Sequence, residues 1–203
     1  GGITAFSSAV DQASIAVNAV NDAPTIIGVT NRTLAENADA QALAEEALTA
    51  SDWITVSGPT DVASDASGNL YVTQAAPNKV SKYSSSGSAI DTDFIISLSS
   101  PGGMAVDASG NLFVAEYSAN KVSQYSSSGS AINADFITNV SGPGGVAVDA
   151  SGNLFVTEFE GGKVSQYSPD GSVLNADFIT GLSNPSGVAV DASGNLYVTQ
   201  SRG

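Results

Sequence analysis

Between Pro101 and Gly142 the apolar positions fall into four short runs separated by clusters of Gly, Ser and Asn. The runs are Gly103 to Asp107, Asn111 to Glu116, Lys121 to Tyr125 and Asp135 to Val140. Each alternates apolar with polar residues or stays apolar for a few positions, and none is long enough for a helix. Four β-strands, a to d, are predicted, joined by tight turns. The turn between a and b has its own logic. Asp107 can accept hydrogen bonds from the turn's backbone amides, and Gly110 can adopt the positive φ that closes a hairpin.

The same pattern recurs along the chain. The string DASGNL starts at Asp65, Asp107, Asp149 and Asp191, each 42 residues after the last, and Pro59, Pro101, Pro143 and Pro185 keep that spacing. So do Lys79, Lys121 and Lys163, and Tyr83, Tyr125 and Tyr167. Residues 101–142 and 143–184 agree at more than two thirds of their positions, which chance does not produce. Four strands in a repeat of about 40 to 50 residues mark a propeller blade. The predicted fold is therefore all-β: a partial β-propeller of four-stranded antiparallel blades with a 42-residue repeat. Blades are expected at 59–100, 101–142 and 143–184, with a half blade at 185–203. Asp52 to Pro59 mirrors Asp135 to Pro143 with one residue deleted, so 51–57 is expected to be an outer strand d.

At this level the repeat resembles the NHL family of six-bladed-type propellers, in the run GPGGVAVDASGNLFVTE and the Lys-Val-Ser-Gln-Tyr strand that follows. The resemblance covers Pro59 to Gly203 and bears on the fold far more than on function. Two positions depart from the family. Its Asp after strand b is Gln74, Glu116, Glu158 and Gln200 here, and its Arg opening strand c is Lys79, Lys121 and Lys163. A Glu116 to Lys121 pair would replace the family's Asp to Arg pair. The tryptophan–aspartate type of propeller repeat is excluded, because it needs Gly-His and this chain has no His. Three and a half blades do not close a six-bladed ring, so the expectation is a fragment of a longer propeller, with an open arc or an assembly of two chains as alternatives.

Residues 1–50 lie outside the repeat. Ser14 to Pro24 alternates like a terminal strand and resembles the end of a bacterial cadherin-like β-sandwich at 1–24, with Leu34 to Ala38 resembling the start of another. Residues 25–50 are a linker or the beginning of that second domain, and Ala38 to Ala50 has the Ala, Glu and Leu content of a short helix. The resemblance places Asn18, Val20, Asn21 and Asp22 where a cadherin linker holds calcium, and the departures from its pattern favour a plain solvated linker.

Composition narrows the function. Twenty acidic residues against six basic ones give a formal charge of −14, a surface that repels phosphate backbones, so no nucleic-acid partner is expected. Without Cys there is no disulfide or thiolate metal site, and without His the commonest general base and zinc ligand are missing. No apolar run is long enough to span a bilayer, so no membrane insertion is expected. The composition and the cadherin-like resemblance point to an extracellular or cell-surface bacterial protein. The DASGN loops lack the alternating acidic ligands of a calcium loop, and no metal or cofactor is expected.

The candidate contact surface comes from strand geometry. Adjacent strands in a blade are antiparallel, so the d-to-a and b-to-c loops share one end and the DASGN turns occupy the other. The DASGN turns are identical in all four copies, whereas the b-to-c loops read QAAPN, EYSAN and EFEGG. Varied loops on a fixed scaffold are where contacts are specialised. Tyr117, Phe159 and Glu160, with Gln74, Glu116 and Glu158 beside them, are the predicted ligand-binding residues. The expected function is a non-enzymatic binding or scaffold module for a protein or carbohydrate ligand, with self-association through open blade edges a further option. The alternative is an incomplete propeller hydrolase or lyase, since propeller lactonases and streptogramin lyases resemble the repeat in fold. In that case catalytic residues would lie in other blades.

Overall fold

A computed structural model describes residues 54–201. The predicted cadherin-like segments at 1–24 and 25–50, and residues 51–53 of the predicted outer strand, lie outside the described residues. These residues fold into fourteen strands. The first four-stranded sheet holds β1 (Pro59–Ser64), β2 (Leu70–Gln74), β3 (Lys79–Tyr83) and β4 (Ala89–Ile95). The second holds β5 (Pro101–Val106), β6 (Leu112–Glu116), β7 (Lys121–Tyr125) and β8 (Ala131–Thr138), with a single 3-10 turn at Tyr117–Ala119 between β6 and β7. The third holds β9 (Pro143–Val148), β10 (Leu154–Glu158), β11 (Lys163–Tyr167) and β12 (Val173–Ile179). A hairpin of β13 (Pro185–Val190) and β14 (Leu196–Gln200) begins a fourth. Every pairing is antiparallel between sequential neighbours, so each sheet is one blade of a β-propeller-type fold.

The DASGN segments are the tips of the a-to-b hairpins. Asp107 Oδ1 accepts from the Ser109 and Asn111 amides, both at 2.8 Å, and Oδ2 accepts from the Asn111 side-chain amide at 2.9 Å. Gly110 adopts φ 82°, and the other copies repeat the arrangement.

Inner strands carry a bulge that brings the blades together. In the second blade Pro101 faces Glu116 and Met104 faces Val114, so Gly102 and Gly103 together oppose Ala115. The glycines are required by the neighbour. A Cβ built on Gly103 would sit 2.6 Å from the Gly145 Cα of the next blade, closer than any side chain allows. The core lies in these blade-to-blade seams. Tyr71, Val80 and Ile95 of the first blade pack with Met104, Leu112 and Val114 of the second, and Phe113, Val122 and Ile137 pack with Val146, Leu154 and Val156.

One expectation needs correction. Strand d begins at Ala131, four residues before the expected Asp135, because its first residues are exposed on an outer edge where burial imposes no alternation. Ile54 to Gly58, the described part of the expected outer strand, pair with none of the described strands.

Candidate functional site

The inner strands β1, β5, β9 and β13 stand side by side around an axial cleft of about 410 Å³. Its lining comes from the first residues of each strand: Thr60 and Asp61, Gly102 and Gly103, Gly144 and Gly145, Ser186 and Gly187, with Thr199 from the end of β14. Starts of strand a and ends of strand b are at the same end of a blade. The cleft therefore opens at the end that carries the b-to-c loops, opposite the DASGN tips.

Polar groups in the cleft follow the repeat except for Thr60 and Ser186, which stand where the middle blades have Gly102 and Gly144, and with two further exceptions. Thr73, Thr157 and Thr199 occupy the same place on strand b. Thr73 donates to the Gly102 carbonyl at 2.9 Å and Thr157 to the Ser186 carbonyl at 2.9 Å, each reaching into the next blade. Thr157 also accepts from the Gly145 amide at 2.7 Å and Thr199 from the Gly187 amide at 2.8 Å. The second blade has Ala115 there, fully buried, and this latch is absent.

Asp61 is the other exception, standing where the later blades have Gly103, Gly145 and Gly187. Its Oδ2 accepts from the Met104 amide of the next blade and its Oδ1 from the Val62 amide, both at 2.8 Å. Each carboxylate oxygen has a second lone pair, so the group keeps acceptor capacity toward the cleft. Burial raises its pKa above the ordinary aspartate value, and the two amide bonds pull in the opposite direction without cancelling that. Asp61 was not among the residues singled out by sequence. The signal was present: a carboxylate breaks the repeat at a position held by glycine in every later copy.

The predicted contact residues divide into two groups. Gln74, Glu116 and Glu158 are buried, at 3%, 4% and 4% exposure, and are bonded internally. The Gln74 amide donates to Ser81 at 2.7 Å. Glu116 accepts from the Ser123 hydroxyl and, at 2.8 Å, from the Ser99 amide of the d-to-a loop, and Glu158 repeats this with Ser165 and the Ser141 amide. Lys121 and Lys163 approach these carboxylates to 3.7 Å but lie nearer Asp135 and Asp177, at 3.0 Å. The expected pair across the hairpin thus exists as part of a three-membered network.

Tyr117, Phe159 and Glu160, in contrast, come together at the rim. The Tyr117 hydroxyl donates to Glu160 Oε1 at 3.0 Å, and this bond raises the phenol's pKa. The Tyr117 and Phe159 rings meet edge to face, with centroids 6.0 Å apart and planes at 73°. No group of three or more acidic residues that could hold a metal ion occurs among the described residues. Nor is any helix there long and apolar enough to cross a membrane.

Residues 45–203 match the model of the virginiamycin B lyase family. That is well over half of the chain, and the chain belongs to this family. Among solved structures it is similar to a streptogramin B lyase, at 23% identity and a TM-score of 0.60, over 70% of this chain and 48% of that one. It is also similar to a catalytically inactive virginiamycin B lyase from Staphylococcus aureus with quinupristin (20% identity, TM-score 0.55, 70% of this chain and 49% of that one). A gluconolactonase from Xanthomonas campestris shows 19% identity and a TM-score of 0.59, over 70% of this chain and 54% of that one. These likenesses establish the fold, and the chain spans about half the length of the structures it matches. No curated protein matches the sequence.

Membership of a family named for a lyase overturns the expectation of a non-enzymatic adhesion scaffold. That expectation rested on the missing His and the small apolar residues of the inner strands, and it passed over Asp61.

Proposed function

We propose that this chain builds one wall of the substrate cleft of a propeller enzyme of the lyase or lactone-hydrolase type. The observation that carries the reading is Asp61, a positioned carboxylate that interrupts a strict glycine column in the axial cleft of a family named for a lyase. Burial raises its pKa above the ordinary aspartate value, which makes its carboxylate a better proton acceptor than an exposed one. Around it the wall is largely the backbone of Gly102, Gly103, Gly144, Gly145 and Gly187, with the hydroxyls of Thr60, Ser186 and Thr199, so a carbonyl-bearing substrate can approach closely at the glycines.

The test is product mass. Incubation of the protein with gluconolactone or quinupristin, followed by mass spectrometry over time, should give a ring-opened product faster than in buffer alone. A hydrolase product gains one water, whereas a lyase product keeps the mass of its substrate. Rates equal to those in buffer alone for both compounds would count against the proposal.

A further inference from the structure

Two aromatic pairs of this protein meet different fates. Tyr71 and Phe94 lie 5.4 Å apart with planes at 51°, and the Lys82 ammonium sits over both rings, 5.0 and 5.1 Å from their centroids. Tyr117 and Phe159 lie 6.0 Å apart at the rim, half-buried, with the exposed Glu160 carboxylate bonded to the Tyr117 hydroxyl. This second pair has aromatic faces and an anion, and no ammonium.

We infer that the Tyr117, Phe159 and Glu160 corner is a binding site for the alkylammonium group of a small organic ligand. Ring faces attract cations through their quadrupole, and an adjoining carboxylate supplies the counter-charge. The rim is electrostatically open to such a ligand. Among the described residues Lys79, Lys121 and Lys163 are bonded to Asp93, Asp135 and Asp177, and Lys82 lies over its own rings. Glu160 has no basic partner among those residues, and the chain's formal charge of −14 favours approach of a cation.

Local structure holds the corner in place. The 3-10 turn that opens with Tyr117 is ended by Asn120 at φ 52°, and its side-chain oxygen accepts from the Gly142 amide at 2.9 Å. Gly142 has φ 60°, and a Cβ there would lie 3.0 Å from both the Tyr117 ring and the Glu160 side chain. Its lack of a side chain is what lets the two loops close over the seam between the second and third blades. The equivalent loop of the first blade has Ala75 and Ala76, so the corner is built at one seam and not by the repeat itself. The inference does not depend on the cleft being catalytic, because it is read by binding alone.

The experiment is an NMR titration of the full chain with tetramethylammonium chloride at constant ionic strength, following the Tyr117 and Phe159 ring signals, with tert-butanol as the uncharged probe of similar shape. Saturable shifts of these rings with tetramethylammonium and none with tert-butanol are expected. Glu160→Gln, an exposed and conservative change, should weaken binding about fivefold, the size of one exposed cation contact, and Phe159→Leu should weaken it similarly. Equal responses to both probes, or an unchanged affinity in Glu160→Gln, would overturn the site and leave the trio as a clasp between loops.

Discussion

The seam between the first and second blades and the seam between the second and third are built from the same repeat, yet they are fastened differently. The first has Thr73 reaching the Gly102 carbonyl and Asp61 reaching the Met104 amide, both near the axis. The second has Ala115 where the threonine would be, and among its side-chain bonds is Tyr117 to Glu160, out at the rim. A threonine near the axis ties inner strands to each other, whereas a rim contact ties loops. The comparison shows that repetition fixes backbone geometry, and that the departures from it gather at the end of the blades where the cleft opens.

The largest effect should come from forcing the second seam apart. Gly103→Val places a branched side chain where even a Cβ meets Gly145, and overpacking of this kind costs about 1 to 3 kcal/mol or more. Urea unfolding should show a lower midpoint and a reduced m-value if the blades separate before they melt.

Next comes the threonine latch. Thr157→Val leaves the Gly145 amide and the Ser186 carbonyl without their hydroxyl partner, at a cost of about 1 to 3 kcal/mol. The converse change, Ala115→Thr, should raise stability by about 1 kcal/mol, because the other blades already accommodate a threonine at this site. A loss of stability in Ala115→Thr would show that the second seam is packed too tightly for the latch.

Asp61 gives a pH signature specific to the first seam. Its folded pKa lies above the unfolded one, so the folded protein holds the proton more firmly. The stability it contributes is complete below the unfolded pKa and is lost as pH rises through the raised folded value. Subtracting the unfolding free energy of Asp61→Asn from that of the parent across acidic pH should give a curve that falls with rising pH. A rising curve would reverse the assignment. The smallest effect is expected from Tyr117→Phe, which loses one exposed hydrogen bond and should move thermal unfolding less than Thr157→Val does.

The blade scaffold was legible in the chain because the strands recur in a fixed register with fixed turn chemistry. Asp65, Asp107, Asp149 and Asp191 mark every hairpin tip through the chemistry of the turn alone. The site was less legible. Glu116 and Glu158 sit next to variable loops in the sequence, which suggested a shared surface. Strand b, however, is packed by blades on both faces, so all five of its residues are buried in the second and third blades and period-2 alternation carries no information. Tyr117, Phe159 and Glu160 stand out in the sequence because loop variation is visible in the repeats, but their mutual contact needed the angle between blades. Asp61 was missed because the second and third copies, which agree best with each other, do not contain it.

The proposed function puts the chemistry in the axial cleft and at Asp61. The direct measurement is the turnover of Asp61→Asn on whichever of gluconolactone or quinupristin the parent protein converts, with the fold checked by circular dichroism. The account predicts a kcat lower by about a hundredfold, the size of a lost proton-transfer group. Turnover equal to that of the parent in a folded Asp61→Asn protein would contradict it.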